Sequence, residues 1–439
     1  MTSHTVQPVS PSSTRKSGRW LVESIHAREV LDSRGLPTVE VTLTVAGTTT
    51  RASVPSGKST GRFEALERRD GDVARYTGKG VLGAVDAVND EIARMLLGSP
   101  LPDREVLDHE LCALDGTPNK SRLGANAIIA VSAVAARARA MLEGRPLYAS
   151  LGGAQAVVLP VPCFNVINGG AHAPNELDFQ EFMLVPAGLP SYEEALRAGA
   201  ETYHALAKLL AKAGLSTAVG DEGGFAPAIT HPTEALDWIV RAIEATGRRP
   251  GEEMFIALDP AASAFFSEGR YRFAGESLDA AGMTDMYAGW LGRYPIISIE
   301  DGLAEDDAAG WQLLTARLGK DVQIVGDDIF VSDPARIRAG IEQRIANAVL
   351  LKPNQIGTVS EIFETVQVAR GANYRLMMSH RSGETDDSFI ADLAVALGTG
   401  QIKAGAPARG ERLAKYNQLL RIADSLGGRA EFRGTRAFR

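Results

Sequence analysis

Six short β-rich runs in the second half of the chain each end on a residue able to do ionic or proton-transfer chemistry. MFIALD ends at Asp259, PIISIE at Glu300, VQIVGD at Asp327, NAVLLK at Lys352, YRLMMSH at His380 and GQIK at Lys403. If these runs are strands pointing the same way, the six side chains meet. Three carboxylates brought together repel one another unless a cation stands between them. All-oxygen ligation suits a hard divalent ion, Mg2+ before zinc, for which His and Cys donors are expected. Taken singly, each acid is as readily a helix cap or a surface charge; recurrence at matching positions in consecutive units favours a metal. Lys352 and Lys403 share the same rim. A buried lysine beside a metal and other cations can have its pKa lowered into the range of a base, while one of the two can instead simply balance the acids. Arg381 and Ser382, just after His380, offer a planar guanidinium and a hydroxyl suited to a phosphate.

Two earlier stretches add to this set. ELDFQEF supplies Gln180 and Glu181, and GDEGGF supplies Asp221 and Glu222 ahead of two glycines that permit close backbone approach. A glutamate among other acids can keep its proton and act as a general acid, the partner a lysine base requires across the substrate. Gly57, Lys58, Ser59 and Thr60 resemble the end of a phosphate-binding P-loop, but the glycine required five residues earlier is Ala52, and Pro55 interrupts the loop. No nucleotide site is read there.

The elements that must position these residues follow from periodicity. Between most of the six runs lie segments of helical period: AAGWQLLTARLG, PARIRAGIEQRIA, TVSEIFETVQVARG and DDSFIADLAVALG. Repeated strand–helix–strand units predict a parallel sheet, and six in a row suggest a closed barrel whose strand ends converge on one face. An open doubly wound sheet is the alternative, but no GxGxxG fingerprint follows an early strand. Before the barrel, VEVTLTV alternates as a strand should, and Val81–Leu97 and Ala125–Glu143 read as helices, the second stopped by Gly144 and Pro146. The expected layout is an extension over 1–20, an α+β domain over 21–150 and a barrel domain over 151–439.

Bulk composition agrees with an enzyme. The 439 residues are 45% apolar and 23% charged, enough for a large core, and the net charge of −8 with scattered basic residues argues against a nucleic-acid partner. Cys112 and Cys163 read as two buried thiols in a reducing compartment rather than a disulfide. The first twenty residues are rich in Ser, Thr and Pro and lack the apolar stretch of a secretory signal, so they read as a disordered extension, with a transit peptide as the weaker alternative. No run of about eighteen apolar residues predicts a membrane span, and the expected location is cytoplasmic.

From about Ile25 to Asp424 the chain resembles the enolase family, on long motifs: AREVLDSRG, RDGDVARYTGKGV, LGANAI, FNVINGGAH, GDEGGFAP, SIEDGL, VGDDIF, LLKPNQIG, SHRSGETDD and QIKAGAPARGERLAKYNQLLRI. The resemblance implies an N-terminal α+β domain on a modified TIM-type (β/α)8 barrel, and a homodimer or octamer. It implies dehydration of 2-phosphoglycerate, a small anionic phospho-substrate, with two Mg2+ per site, the second arriving with substrate. Asp259, Glu300 and Asp327 would bind the first ion and Ser59 would join the second. Lys352 would be the base, Glu222 the acid and Glu181 its support. His172, Gln180 and His380 would line the site, Lys403 would meet the substrate carboxylate, and Arg381 with Ser382 the phosphate.

Departures from the family pattern leave this set intact: Leu36 for a usual Asn, Gly410 for a usual Ser, and Pro260 and Pro353 after a ligand and the base. Lys58 replaces a usual Ala. Its charge near the phosphate end motivates a second reading, a specialised relative that dehydrates a phosphonate analogue bearing an extra carboxylate, as in carboxyphosphonoenolpyruvate formation. Against this stands a plain solvent-facing lysine. A third reading is a non-catalytic binding protein on the same scaffold.

Overall fold

The computed structural model describes residues 20–58 and 60–439. The expected N-terminal extension, Trp20 apart, and Ser59 lie outside the described residues. Trp20 belongs to the folded part: its carbonyl accepts from Leu101 N at 2.7 Å, and the Arg139 guanidinium lies 5.5 Å from its ring centroid.

The first domain opens with an antiparallel meander of Val22–Leu31, Pro37–Val45 and Thr48–Ser53. The strand Pro37–Val45 buries Val39, Val41, Leu43 and Val45 completely, as period-2 alternation against a helical layer requires. That layer is led by Ala125–Glu143, which ends at Gly144 with φ 66°, a left-handed cap that glycine takes without strain. Among the described residues it is the one helix long and apolar enough to cross a membrane, but every residue from Ala125 to Ala136 is buried within the protein. The predicted helix over 81–97 is present with a π-turn at Val88–Ile92 inside it.

Eight strands close the barrel of the second domain in the order Ile296–Glu300, Gln323–Gly326, Ala348–Leu351, Arg375–Ser379, Gly400–Lys403, Val161–Asn168, Glu181–Val185 and Phe255–Asp259. Helices Ala308–Leu318, Pro334–Gln343, Val359–Gly371 and Phe389–Leu397 occupy the predicted crossovers. The barrel is not wholly parallel: Glu181–Val185 runs antiparallel to both neighbours. Reversal puts the first residue of that strand, Glu181, in register with the last residue of the next, Asp259. An acid at a strand start therefore reaches the same rim as acids at strand ends.

The lower barrel interior is apolar, with Val161, Cys163, Met183, Val325, Leu350 and Phe438 in one cluster. Gln323 and Gln401 donate to each other there at 2.8 and 2.7 Å. The acids and lysines at the strand ends, Asp259, Glu300 and Lys403 among them, lie on the upper rim. The domains are joined by a two-pronged ion pair of Arg137 with Asp387, both contacts 2.6 Å, and by reciprocal backbone bonds between Ser56 and Gly383 at 2.8 and 2.9 Å.

Candidate active site

Lys403 stands at the centre of the acids. Its Nζ donates to Glu300 Oε1 at 2.6 Å, Asp259 Oδ2 at 3.1 Å and Glu181 Oε1 at 3.4 Å. Burial opposes the ammonium, but these three carboxylates outweigh it and hold Lys403 well above the ordinary lysine range. Burial, then the neighbouring Asp259, pushes the Glu300 carboxyl well up. Lys352, at the end of Ala348–Leu351, pairs with Asp327, whose other oxygen accepts from Gln355 Nε2 at 2.9 Å. Burial alone would lower the Lys352 pKa; Asp327 reverses this and raises it. Asp301 accepts from the backbone N–H groups of Asp327 and Asp328, each at 2.9 Å, and so fixes the turn that presents Asp327.

Asp259, Glu300 and Asp327 leave three adjacent strands, yet their ligand atoms do not form one compact group. Among the described residues, the groups whose ligand atoms all lie within 4.8 Å are His172, Glu181 and Glu222, and Asp301, Asp327 and Asp328. The reason is counter-charge: Lys403 takes Asp259 and Glu300, while Lys352 and Gln355 take Asp327. The donor set nonetheless fits a hard divalent ion. It is all oxygen, and Glu300 Oε2 and Glu181 Oε2 are buried without a hydrogen-bond partner, an arrangement costly enough to call for a cation or proton.

Across the rim, Glu222 accepts from Asn165 Nδ2 at 2.8 Å and lies 3.5 Å from His172 Nδ1 and 3.7 Å from His380 Nε2. Burial works against its charge, but the imidazoles and Arg412 hold its carboxyl well below the usual range. Glu181 moves the other way, well up, first through burial and then through Glu222. Burial also drives His380 towards its neutral form, while Glu222 works against that by favouring the charged ring. The two glutamates are thus pushed in opposite directions, Glu181 towards its protonated form and Glu222 towards its charged one.

Arg381 meets Glu64 in a two-pronged pair at 3.0 and 3.1 Å and Asn354 Oδ1 at 3.1 Å. A carboxylate thus holds the place expected for a substrate anion. Ser382 Oγ accepts from Lys58 N at 2.7 Å. His172, Gln180, Glu181, Glu222, Asp259, Lys352, His380, Arg381, Ser382 and Lys403 all line one small cavity. Lys58 lies outside it, and its Nζ is 2.9 Å from Asp221 Oδ2. The lysine is therefore neither aimed into the cavity nor simply solvated.

Several residues of the site escaped the sequence reading. Arg412, wholly buried, donates to His380 Nδ1 at 2.6 Å, Arg381 O at 2.7 Å, Asp221 O at 3.0 Å and Ser382 O at 2.6 Å. It thereby fastens two site loops together. A signal was present: Arg412, Lys415, Tyr416 and Leu419 are buried at i, i+3, i+4 and i+7 of helix Gly410–Leu426, a stripe facing inward despite two charges. Asn165, within strand Val161–Asn168, Gln355, in the short helix Pro353–Ile356, and Glu64, in an irregular segment, had none, since isolated polar residues carry no periodic mark.

Comparison with known proteins agrees with this geometry. The family model described as "Enolase, N-terminal domain" matches residues 22–151, and that described as "Enolase, C-terminal TIM barrel domain" matches residues 156–439. The chain is 57% identical over 420 residues to a protein of Rubrobacter xylanophilus named enolase, covering 95% of this chain and 98% of that one. It is 56% identical, over the same length and with the same coverage, to one of Mycobacterium leprae of the same name. With both domains matched and the acids, lysines and imidazoles gathered on one rim, the chain belongs to the enolase family of carbon–oxygen lyases.

Proposed function

We propose that the chain is a Mg2+-dependent phosphopyruvate hydratase converting 2-phosphoglycerate to phosphoenolpyruvate. One observation carries the reading: Lys352 ends a strand four places round the eight-strand ring from Glu181–Val185, the strand whose rim also holds Glu222. A lysine and a glutamate thus line one cavity from opposite sides of the ring, which supports reading them as base and acid. A proton beside a carboxylate is very weakly acidic, and its removal leaves a dianion. The site must therefore supply a base on one face, an acid at the leaving hydroxyl on the other, and positive charge at the carboxylate.

Lys352 Nζ takes the C2 proton once its pairing with Asp327 is released, when burial, Arg381 and Lys403 all act to lower its pKa. Glu222 protonates the departing 3-hydroxyl, supported by Glu181, whose carboxyl is held towards its protonated form. Lys403 meets the substrate carboxylate. Arg381 exchanges Glu64 for the phosphate, with Ser382 beside it, while His172, Gln180 and His380 wall the cavity against water. Asp259, Glu300 and Asp327 would hold one Mg2+ and Ser59 would join a second, and ions so bound supply Lewis-acid stabilisation of the dianion. We also infer a homodimer or octamer acting in the cytoplasm, which sedimentation and localisation of the intact chain test.

The phosphonate reading drew on a charge at Lys58 available to the ligand. That charge is paired with Asp221, so the ordinary substrate is favoured. A non-catalytic scaffold would be expected to lack a base, an acid or a ligand, and each position is filled. Purified protein should form phosphoenolpyruvate from 2-phosphoglycerate with Mg2+ and lose that activity to a chelator. Absence of product in both conditions would overturn the proposal.

A further inference from the structure

Lys58 joins two parts of the site that are 163 residues apart in sequence. Its main chain is fixed first: Lys58 N donates to Ser382 Oγ at 2.7 Å, and Ser56 exchanges backbone bonds with Gly383. Between them Gly57 passes so close to Arg381 that a Cβ there would lie 1.9 Å from its Nη2, so no other residue fits without moving the guanidinium. From this anchored point the side chain crosses to Asp221, its Nζ 2.9 Å from Oδ2. Asp221 immediately precedes Glu222. Its own backbone is held by His172 O, which accepts from Asp221 N at 3.1 Å, and by Arg412 Nη2, which donates to Asp221 O at 3.0 Å. The acid-bearing loop is thus tied to the barrel on its inner side by a backbone bond to His172 and by the Arg412 guanidinium, and to the first domain on its outer side by one ion pair.

We propose that Lys58 is a positioning residue which, through Asp221, holds the Glu222 loop against the Pro55–Lys58 segment, rather than a residue that contacts substrate. The inference rests on the reading of Glu222 as the acid. The lysine and aspartate side chains are 46% and 28% exposed, so the pair is a modest, salt-screened contact whose loss is worth about a 2- to 5-fold change.

The test is a double-mutant cycle in the full-length protein with 2-phosphoglycerate and Mg2+. Lys58→Ala and Asp221→Asn should each lower kcat by about 2- to 5-fold with KM little changed, and the double variant should be no worse than either single. Lys58→Arg should retain the wild-type kcat, and the exchanged pair Lys58→Asp/Asp221→Lys should recover part of the loss. In the free protein, amide hydrogen exchange over 220–224 should quicken in both single variants and in wild type at high salt. A raised KM at unchanged kcat in Lys58→Ala, with Asp221→Asn silent, would mean that the lysine touches substrate and the proposal is wrong. Additive single effects, or exchange rates that no variant moves, overturn it equally. If wild type itself fails to turn over 2-phosphoglycerate, the functional reading fails, while the exchange cycle still decides whether the ion pair orders the loop.

Discussion

Replacing Lys403 by methionine removes the one ammonium that three buried carboxylates share while keeping the length of the side chain. At 2.6, 3.1 and 3.4 Å a contact with a fully ionised carboxylate would carry about 5 to 6 kcal/mol of gross attraction at an effective dielectric of about 20. Desolvation of the lysine and the acids offsets most of that sum. Breaking a buried pair by deleting one partner typically costs about 3 to 5 kcal/mol, because the remaining charges are left uncompensated. The metal-free variant should therefore be less stable than wild type by about that amount at pH 8. Glu181 and Glu300 already have raised pKa values. A carboxyl raised in the folded state contributes stability below its unfolded pKa and loses it as pH rises through the folded value. Loss of Lys403 raises both further, so the deficit should be largest at pH 8 and shrink towards pH 5. Saturating Mg2+ should recover part of it, since an ion that binds only the folded state stabilises by mass action. Thermal unfolding in chelator and in Mg2+ across pH 5–8 measures all three. A variant as stable as wild type in chelator at every pH would refute the view that Lys403 is the counter-charge of this cluster.

Asp392, in helix Phe389–Leu397, has its pKa pushed up to about 6, chiefly by burial, so its contribution is intact below about pH 4 and lost as pH rises through about 6. Asp392→Asn keeps the acceptor that faces Tyr148 N and should stabilise the protein by as much as about 3 kcal/mol at pH 8 with little gain at pH 4, as read from denaturant unfolding; a destabilised variant at pH 8 contradicts this. For Asp387, burial opposes the charge but Arg137 overcomes it and the pKa falls. Its stability is present above the unfolded carboxylate range and lost on acidification, so Asp387→Ala should cost about 3 to 5 kcal/mol at pH 7, with the gap to wild type closing below about pH 4. Equal unfolding free energies at pH 7 would show that this domain bridge is not stabilising.

Hydrophobic runs marked the barrel strands well because parallel strands buried on both faces are nearly continuous in apolar residues. Their direction was another matter. VPCFNVIN and EFMLV are strands of the same barrel, but nothing in a buried run tells up from down, and the reversal of Glu181–Val185 emerges only from its pairing. For the same reason the sequence could name Glu181 while leaving open how a strand start reaches a rim of strand ends. The six residues at the ends of the predicted runs do meet, since a strand end is a backbone property. How their side chains pair is decided by charge balance. Lys403 therefore stands among Asp259, Glu300 and Glu181, and Lys352 with Asp327, a distribution no linear spacing encodes. Lys58 illustrates the same limit: its partner Asp221 could be found only once the two loops were folded together.

The assignment of roles across the cavity is tested most directly by exchange of the C2 hydrogen of 2-phosphoglycerate with deuterated solvent in Lys352→Ala and Glu222→Gln. With Lys352 as base and Glu222 as acid, Lys352→Ala abolishes exchange and product alike, whereas Glu222→Gln suppresses elimination and leaves exchange measurable. Exchange that survives in Lys352→Ala, or disappears in Glu222→Gln while elimination continues, would contradict the account.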